Sequence, residues 1–381
     1  MSKKKTYNIL SLFANIGIAE AFFEDIGKHV VVANEIDPRR AKLYQAIYPK
    51  TKMICGDIAE KNIYNEILDA SINSGVNIIM ATPPCQGMST AGQMKKMDPR
   101  NILFTYAIEL IKDLRPDYFL FENVPAFLTT HVLYKGQAVL IPDVIKAELS
   151  SYYELNFSVR NAKDYGVPQS RERMILLATK KGNNHIWVCP KKDETIVTME
   201  DAIGWIPSID PYVKDLDQEE FQKLFPLYEK RKDTALKISK YNIPPKHVYR
   251  NVFAMQHTPT GKSAFNNDDI FKPRKKNGEL VRGFGNTYKR QNWNTPSYTI
   301  AMDNIEISSQ NNVHPGRYIG KDENGFDIYS DARAMTLYEL MCLMTLPSDW
   351  PLPEWTDLRF LRRIIGEGVP SIFMKKLFMQ I

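Results

Sequence analysis

The first 180 residues alternate short apolar runs with helix-period segments, and that alternation leaves few folds open. Tyr7–Phe13, Val30–Glu35, Ile78–Ala81, Tyr118–Phe121 and Met174–Ala178 read as strands, and a further strand ends at Cys55. Ile16–Ile26, Pro38–Ile47 and Arg100–Leu114 read as helices between them. Pro38 and Pro99 stand where a helix begins, which suits proline's fixed φ. Strands alternating with helices predict an α/β fold, a doubly wound, mostly parallel sheet covered on both faces. Ligands of such sheets bind at the carboxyl ends of the strands, so the residues just after each strand carry the functional interest.

After Lys180 the periodicity weakens and turn signals appear, such as Lys276-Asn277-Gly278 and Glu323-Asn324-Gly325. Helical periodicity returns from Ala332, with Leu337, Leu340, Met341 and Met344 on one face, and Val369–Met379 reads as a last amphipathic helix. A chain of 381 residues exceeds one ordinary core, so two domains are expected. Residues 1–185 with 331–381 form the larger, and 186–330 a smaller, irregular one. Charge divides along the same line. Between Pro226 and Thr295 there are fifteen Lys and Arg against five Asp and Glu, a net +10, while the whole chain carries +6. A basic block on a near-neutral body is the footprint of a polyanion partner. No apolar run reaches 18 residues, so no membrane span is expected. The lysines at 3–5 precede an apolar stretch, but Asn8, Asn15 and Glu20 interrupt it, so it reads as strand and helix, not an export signal. The four cysteines lie far apart without a C-x-x-C pair, which suggests neither a zinc site nor a disulfide scaffold and fits a reducing cytoplasm.

Three strand ends suggest an adenosine-containing cofactor. Tyr7–Phe13 runs through Ala14-Asn15-Ile16 into Gly17, a turn where glycine allows close approach of backbone to ligand. The second strand ends in Glu35-Ile36-Asp37, and a carboxylate there can accept from a ribose diol. The third ends in Gly56-Asp57-Ile58, where Asp57 can accept from an adenine amino group. The glycine pattern is not G-x-G-x-x-G, which favours S-adenosylmethionine over a dinucleotide.

The stretch Thr82-Pro83-Pro84-Cys85-Gln86-Gly87 follows an apolar strand, so the thiol of Cys85 stands at a strand's carboxyl end behind two stiff prolines. Another strand ends in Phe121-Glu122-Asn123-Val124, which brings a carboxyl to the same rim. Gln169-Ser170-Arg171-Glu172-Arg173 leads into a third; if extended, Arg171 and Arg173 share a face. Thiol, carboxyl and guanidinium together suit methylation of cytosine carbon 5, a carbon too poor in electrons to react unaided. A thiolate bonded to carbon 6 makes carbon 5 enamine-like. A carboxyl kept protonated by burial can meet the displaced charge at ring nitrogen 3. An Arg on the ring carbonyl adds electrostatic stabilisation, and nearby arginines favour the thiolate.

Pro84-Cys85-Gln86, Glu122-Asn123-Val124 and the Gln169–Arg173 stretch resemble motifs of the DNA cytosine-5 methyltransferases, bacterial restriction–modification type. Leu12-Phe13-Ala14 with Gly17, Glu35 and Asp57 resembles that family's cofactor motifs. Arg333, Glu339 and Leu346-Pro347 are similar to its late helix motif, and Gly366–Pro370 to its final one. The resemblance implies a Rossmann-like S-adenosylmethionine-dependent fold with a target-recognition domain. It implies Cys85 as nucleophile, Glu122 at ring nitrogen 3, and Arg173 on the cytosine carbonyl with Arg171 beside it. Phe13, Ala14, Ile16, Gly17, Glu35, Ile36, Asp57, Ile58, Pro83, Glu367 and Val369 would line the cofactor pocket. Ser89–Arg100 would close over the target, with Gln86, Ser89 and Arg100 on the DNA. The family usually has glycine where Asn15 and Ile18 stand, and Asn where Glu367 stands. A carboxylate at 367 either repels the cofactor's carboxylate or pairs with its ammonium.

Flipping the base costs roughly a few kcal/mol, which contacts to phosphate and neighbouring bases must offset. Arg274, Lys275, Lys276, Lys289 and Arg290 are candidate phosphate contacts, with Phe284, Tyr288 and Trp293 interleaved. Residues 288–290, 296–300 and 314–315 resemble segments that follow the family's recognition region, which places recognition between about 186 and 287. Taken singly, each Lys or Arg here reads more readily as solvated charge than as a phosphate contact. The expected partner is duplex DNA, with a cognate restriction endonuclease as companion or, equally compatible, none as for an orphan regulatory methylase, and the enzyme a cytoplasmic, nucleoid-associated monomer without metal. Two alternatives stay open: a transfer-RNA type cytosine-5 methyltransferase and a non-catalytic DNA-binding module. An amino-group methyltransferase would need Asp or Asn before Pro-Pro-aromatic, whereas this chain reads Thr82-Pro83-Pro84-Cys85.

Overall fold

The computed structural model describes residues 6–84 and 99–381. Strands β1 (Tyr7–Leu12), β2 (Lys28–Glu35), β3 (Lys52–Cys55), β4 (Ile78–Ala81) and β5 (Tyr118–Asn123) pair in parallel. Helices α1 (Pro38–Ile47), α2 (Lys61–Asn73) and α3 (Phe104–Leu114) connect them. A short hairpin, β6 (His131–Tyr134) and β7 (Gln137–Leu140), leads into α4 (Ile141–Leu149). Then β8 (Tyr153–Asn161) and β9 (Glu172–Lys180) complete a seven-stranded sheet in the order β3-β2-β1-β4-β5-β9-β8. Strand β9 runs antiparallel to both neighbours, so the sheet is mixed, with its reversed strand beside β5.

Alternation along the strands sorts side chains onto two faces. Leu10, Ile79, Phe119, Phe121, Leu176 and Ala178 pack with α2, α3 and α4. Their neighbours Ile9, Ile78, Met80, Leu120, Ile175 and Leu177 face the other way, onto Trp187 and residues from the far end of the chain. Strands buried on both faces read as unbroken apolar runs, which is why they were legible in the sequence.

Helix α5 (Met199–Ile203) starts at a Thr198–Asp201 capping box. The following stretch holds β10 (Tyr212–Val213), α6 (Gln218–Leu224), α7 (Tyr228–Ile238), β11 (Lys246–His247) and α8 (Tyr249–Gln256). It also holds the hairpin β12 (Tyr318–Lys321) and β13 (Asp327–Tyr329). Val213, Phe225, Tyr228, Val252, Met255, Ile307 and Val313 give this region a core of its own. The chain then returns through α9 (Leu337–Leu343) and α10 (Leu358–Glu367) to α11 (Ser371–Phe378). Phe373, Met374, Leu377 and Phe378 of α11 cover the second face of the sheet.

The expected helix over Ile16–Ile26 does not form; turns occupy it, and only Glu24–Ile26 makes a 3-10 turn. Asn15 and Gly17 take left-handed φ values of 54° and 79°, which an α-helix cannot absorb. Arg100–Leu114 begins instead as a 3-10 turn, Pro99–Ile102, and becomes α-helical at Phe104. Among the described residues no helix is long and apolar enough to cross a membrane. Cys55, Cys189 and Cys342 are free thiols.

The late helix motif is a buried charge network. The Arg333 guanidinium donates to both Glu339 carboxylate oxygens, at 2.9 and 2.8 Å, to Asp331 at 2.8 Å and to the Ile209 carbonyl at 3.1 Å. Glu339 in turn accepts from the Thr336 backbone N–H and closes the capping box that starts α9. Burial pushes His247 and His314, which flank this network, down to about 3 and about 4, so both are neutral at pH 7. Arg333→Ala strands two buried carboxylates. It is expected to cost about 3–5 kcal/mol, read as a lower urea midpoint in equilibrium unfolding.

Candidate active site and its relatives

The rim is assembled at the carboxyl end of β5. Glu122 is buried, and Arg173, two positions along β9 from Ile175, the register partner of Glu122, brings its Nε to 2.8 Å from Glu122 Oε1. Burial raises the Glu122 carboxyl above its ordinary value, while Arg173 and Arg171 oppose the rise. The net direction is upward, as a proton donor near neutral pH requires. The next residue has a role that sequence reasoning missed. Asn123 Nδ2 donates to the Pro83 carbonyl at 2.9 Å, while Thr82 Oγ1 donates to the Phe13 carbonyl at 3.2 Å. The proline pair is thus tied to β5 on one side and to the end of β1 on the other. Cys85, Gln86 and Ser89 lie outside the described residues, and of Arg100 only the backbone, in the Pro99–Ile102 turn, is described.

Arg171 and Arg173 part company. Arg171 is buried, and its guanidinium donates to the carbonyls of Ile300, Gly366 and Glu367 at 3.3, 3.1 and 3.3 Å. It ties the start of β9 to residue 300 and to the end of α10, as a strut. Ser297 and Ile300 are zipped along the same stretch. Ser297 N donates to the Pro168 carbonyl, Ser170 N to the Ser297 carbonyl and Ile300 N to Gln169 Oε1.

The loop after β1 lies beside this rim. Phe13, Asn15 and Gly17 all take left-handed φ values, and Ala14 N donates to the Asn34 carbonyl at 2.9 Å. Gly17 has no room for a side chain: a Cβ there would meet Tyr48 Cε2 at 2.2 Å. Glu35 is buried at the end of β2, where its Oε2 accepts from Asn15 N and its Oε1 from Asp37 N, at 2.9 and 3.0 Å. Each oxygen keeps a second lone pair for a ligand hydroxyl. Ile36 beside it is 60% exposed, an uncovered apolar side chain next to carboxylates. Asp57 accepts from Ala59 N with one oxygen, and Ile58, Ile16 and Val369 are buried. The buried Asn15 Oδ1 has no partner, which leaves an acceptor to spare at the loop.

Where glycine is usual, Ile18 stands buried against Gly368, at which a Cβ would come within 2.6 Å of Ile18 Cδ1. Glu367 neither stands free nor is alone: its Oε2 pairs with Arg40 Nη1 at 2.8 Å.

The basic region needs corrections. Arg290, expected on a phosphate, is fully buried. Its guanidinium donates to the carbonyls of Met255, His314, Ser330 and Asp331 at 2.8–3.1 Å, so it clamps backbone. Tyr288 and Trp293 are buried, with Trp293 donating to the Gly316 carbonyl and lying under the exposed Arg317 guanidinium, 4.4 Å from its ring centroid. Phe284 is 78% exposed. Lys276 is exposed, while Arg274 pairs with Asp269, Lys275 with Glu279, and Lys289 donates to the Tyr298 hydroxyl.

With this geometry in view, the comparisons with known proteins gain meaning. The family model for C-5 cytosine-specific DNA methylases matches residues 7–381. The chain belongs to that family. Type II methyltransferase M1.HgaI of Avibacterium volantium is 39% identical over 99% of this chain and 99% of its own length. Type II methyltransferase M.XorII of Xanthomonas oryzae is 31% identical over 53% of this methylase and 47% of its own length. Among solved structures, the Entamoeba histolytica methyltransferase EhMeth shares the fold with a TM-score of 0.58. Its identity is 15% over 99% of this chain and 98% of its own.

One buried carboxyl under the cofactor loop escaped the sequence reading. Glu20 accepts hydrogen bonds from the Ser11 and Tyr44 hydroxyls, and burial pushes it up to about 7. Below about 4.5 folded and unfolded chains both hold this proton; between 4.5 and 7 only the folded chain does. Stability therefore falls as pH rises through that window, by on the order of 3 kcal/mol. Glu20→Gln is expected to remove this part of the slope between pH 5 and pH 8, measured by melting temperature.

Proposed function

We propose that this methylase transfers a methyl group from S-adenosylmethionine to carbon 5 of a cytosine flipped out of duplex DNA, through a covalent bond from Cys85 to carbon 6. The observation that carries the reading is the buried Glu122–Arg173 contact on the strand end whose next residue, Asn123, holds Pro83. Cys85 follows Pro84, so thiol and carboxyl issue from neighbouring strand ends. The Cys85 thiolate bonds carbon 6, and the displaced π electrons move toward ring nitrogen 3. There Glu122 delivers a proton, so no full charge builds on the ring. Arg173 holds the Glu122 carboxyl in place and adds positive potential beside the ring carbonyl. Carbon 5, now enamine-like, would take the methyl group, leaving S-adenosylhomocysteine, and Glu122 would recover its proton from nitrogen 3. Loss of carbon 5's hydrogen as a proton to water, with expulsion of the Cys85 thiolate, restores the aromatic ring.

The residues around Glu35 fit the cofactor. Glu35 has lone pairs for a ribose diol, Asp57 a free oxygen for an amino group, and the left-handed turn from Phe13 to Gly17 a cradle for backbone contact. Bound there, S-adenosylmethionine supplies an electrophilic methyl group. Arg171 keeps the 366–367 backbone against the rim, and Pro83 is held to the same rim by Asn123.

In this reading residues 186–330 read the DNA, with Lys275, Lys276, Lys289 and Arg274 facing phosphate, and Gln86, Ser89 and Arg100 approaching the target. Names of the Type II relatives favour a cytoplasmic restriction–modification role, with a cognate endonuclease alongside a monomeric enzyme. A transfer-RNA substrate is the competing outcome. Incubation with tritiated cofactor is expected to label duplex DNA and not transfer RNA. Cys85→Ala is expected to abolish labelling, and Glu122→Gln to slow it about 10²–10⁴-fold; turnover by the Cys85 variant comparable to wild type would refute the covalent route.

Lys275→Ala is expected to weaken binding of all duplexes alike and to reduce the salt slope of log K by about one. A loss confined to one sequence would make Lys275 a base reader instead.

A further inference from the structure

The Arg40–Glu367 pair joins α1 to the end of α10, two elements that also pack through Leu43, Ile47, Leu361 and Ile364 and through Arg39 over the Phe360 ring. Arg40 lies in the first turns of α1, five residues beyond Glu35, and close enough to oppose the rise in the Glu35 pKa. Glu367 ends α10, its own carbonyl held by Arg171 and its neighbour Gly368 pressed against Ile18. The two side chains use Arg40 Nη1 and Glu367 Oε2 on each other. Arg40 Nε and Glu367 Oε1 are left buried without hydrogen-bond partners, one donor and one acceptor. Asn15 Oδ1 is a second partnerless acceptor, on the residue whose backbone N–H is bound to Glu35. Buried polar groups without partners are costly, and their gathering around one loop marks a site completed by a ligand.

We propose that Arg40 and Glu367 receive the amino-acid end of the methyl donor, Glu367 together with Asn15 taking its ammonium group and Arg40 its carboxylate. A zwitterionic α-amino acid carries donors and acceptors in the arrangement this pair lacks. The pair also resolves the charge conflict at position 367. A lone carboxylate there repels the donor's carboxylate, whereas this one is paired with Arg40 at 2.8 Å and has Arg363 Nε 3.9 Å from its Oε1, so its charge is offset. Arg40 is thus the companion that makes Glu367 tolerable where the family usually has Asn.

This inference rests on the cofactor reading above, and two ligands separate them. S-adenosylhomocysteine retains the amino-acid end, while 5′-methylthioadenosine lacks it. Titration calorimetry on wild type is expected to detect both, and failure to bind either would overturn the cofactor reading itself. Glu367→Gln and Arg40→Met are each expected to weaken S-adenosylhomocysteine about tenfold, roughly 1.4 kcal/mol, and to leave methylthioadenosine within about twofold. Their effects should be less than additive, because each variant disables the same unit. Glu367→Asn, which likewise removes the charge, provides the second variant should either of the others melt at a lower temperature, and is expected to weaken S-adenosylhomocysteine in the same way while sparing methylthioadenosine. Equal loss for both ligands would assign the pair a structural role, and unchanged affinity for both would remove it from the site; either result overturns the proposal.

Discussion

The antiparallel course of β9 is the constraint on which the site depends. Five parallel strands alone would bring β5 to the edge with Glu122 facing solvent. Because β9 runs back along β5, the chain delivers Arg173 to the same end at which Glu122 emerges. The carboxyl is then buried under a guanidinium. Burial and charge pull its proton affinity in opposite directions, and burial prevails. A carboxyl that is both held and proton-retaining needs both influences, since a fully compensated ion pair would stay ionised.

From that point the molecule stiffens outward through donors aimed at backbone carbonyls. Asn123 holds Pro83, Arg171 holds residues 300, 366 and 367, and Arg290 holds four carbonyls in the irregular region. Guanidinium is suited to the task because its fork of donors can bind several acceptors in one plane. Irregular segments have few ladder partners for their carbonyls, and these buried arginines supply what strands and helices supply elsewhere. The same chemistry that suggested DNA contacts in the sequence therefore serves the interior at Arg171, Arg290 and Arg333.

The parts of the fold that the sequence made legible are those with a strong local signature. Apolar runs marked β1, β2, β4, β5 and β9, and Pro38 marked the start of α1, which the structure shows capped by Asp37. Motif residues at strand ends pointed to Glu122 and Arg173, which the fold brings into contact. What was not legible depends on partners distant in sequence. The missing helix after β1 follows from left-handed turns at Asn15 and Gly17 and from Glu20 turning inward to Ser11 and Tyr44. Nothing local distinguishes Arg290, a buried clamp, from Lys289, a half-exposed neighbour. Arg40 gave no signal at all, since its meaning comes from Glu367, more than three hundred residues away.

Trp187 packs edge-on against Tyr118 and Phe378, and its indole N–H donates to the Leu377 carbonyl at 2.9 Å. The indole is thus the keystone between β5 and α11. Closing that contact means retiring the entropy of a chain loop of almost two hundred residues before much burial rewards it. Renaturation should therefore be slow at its last stage, with the apolar floor beneath α11 laid bare in the interim. Such a surface is prone to self-association, so cool, dilute conditions should favour recovery of active protein over clumping.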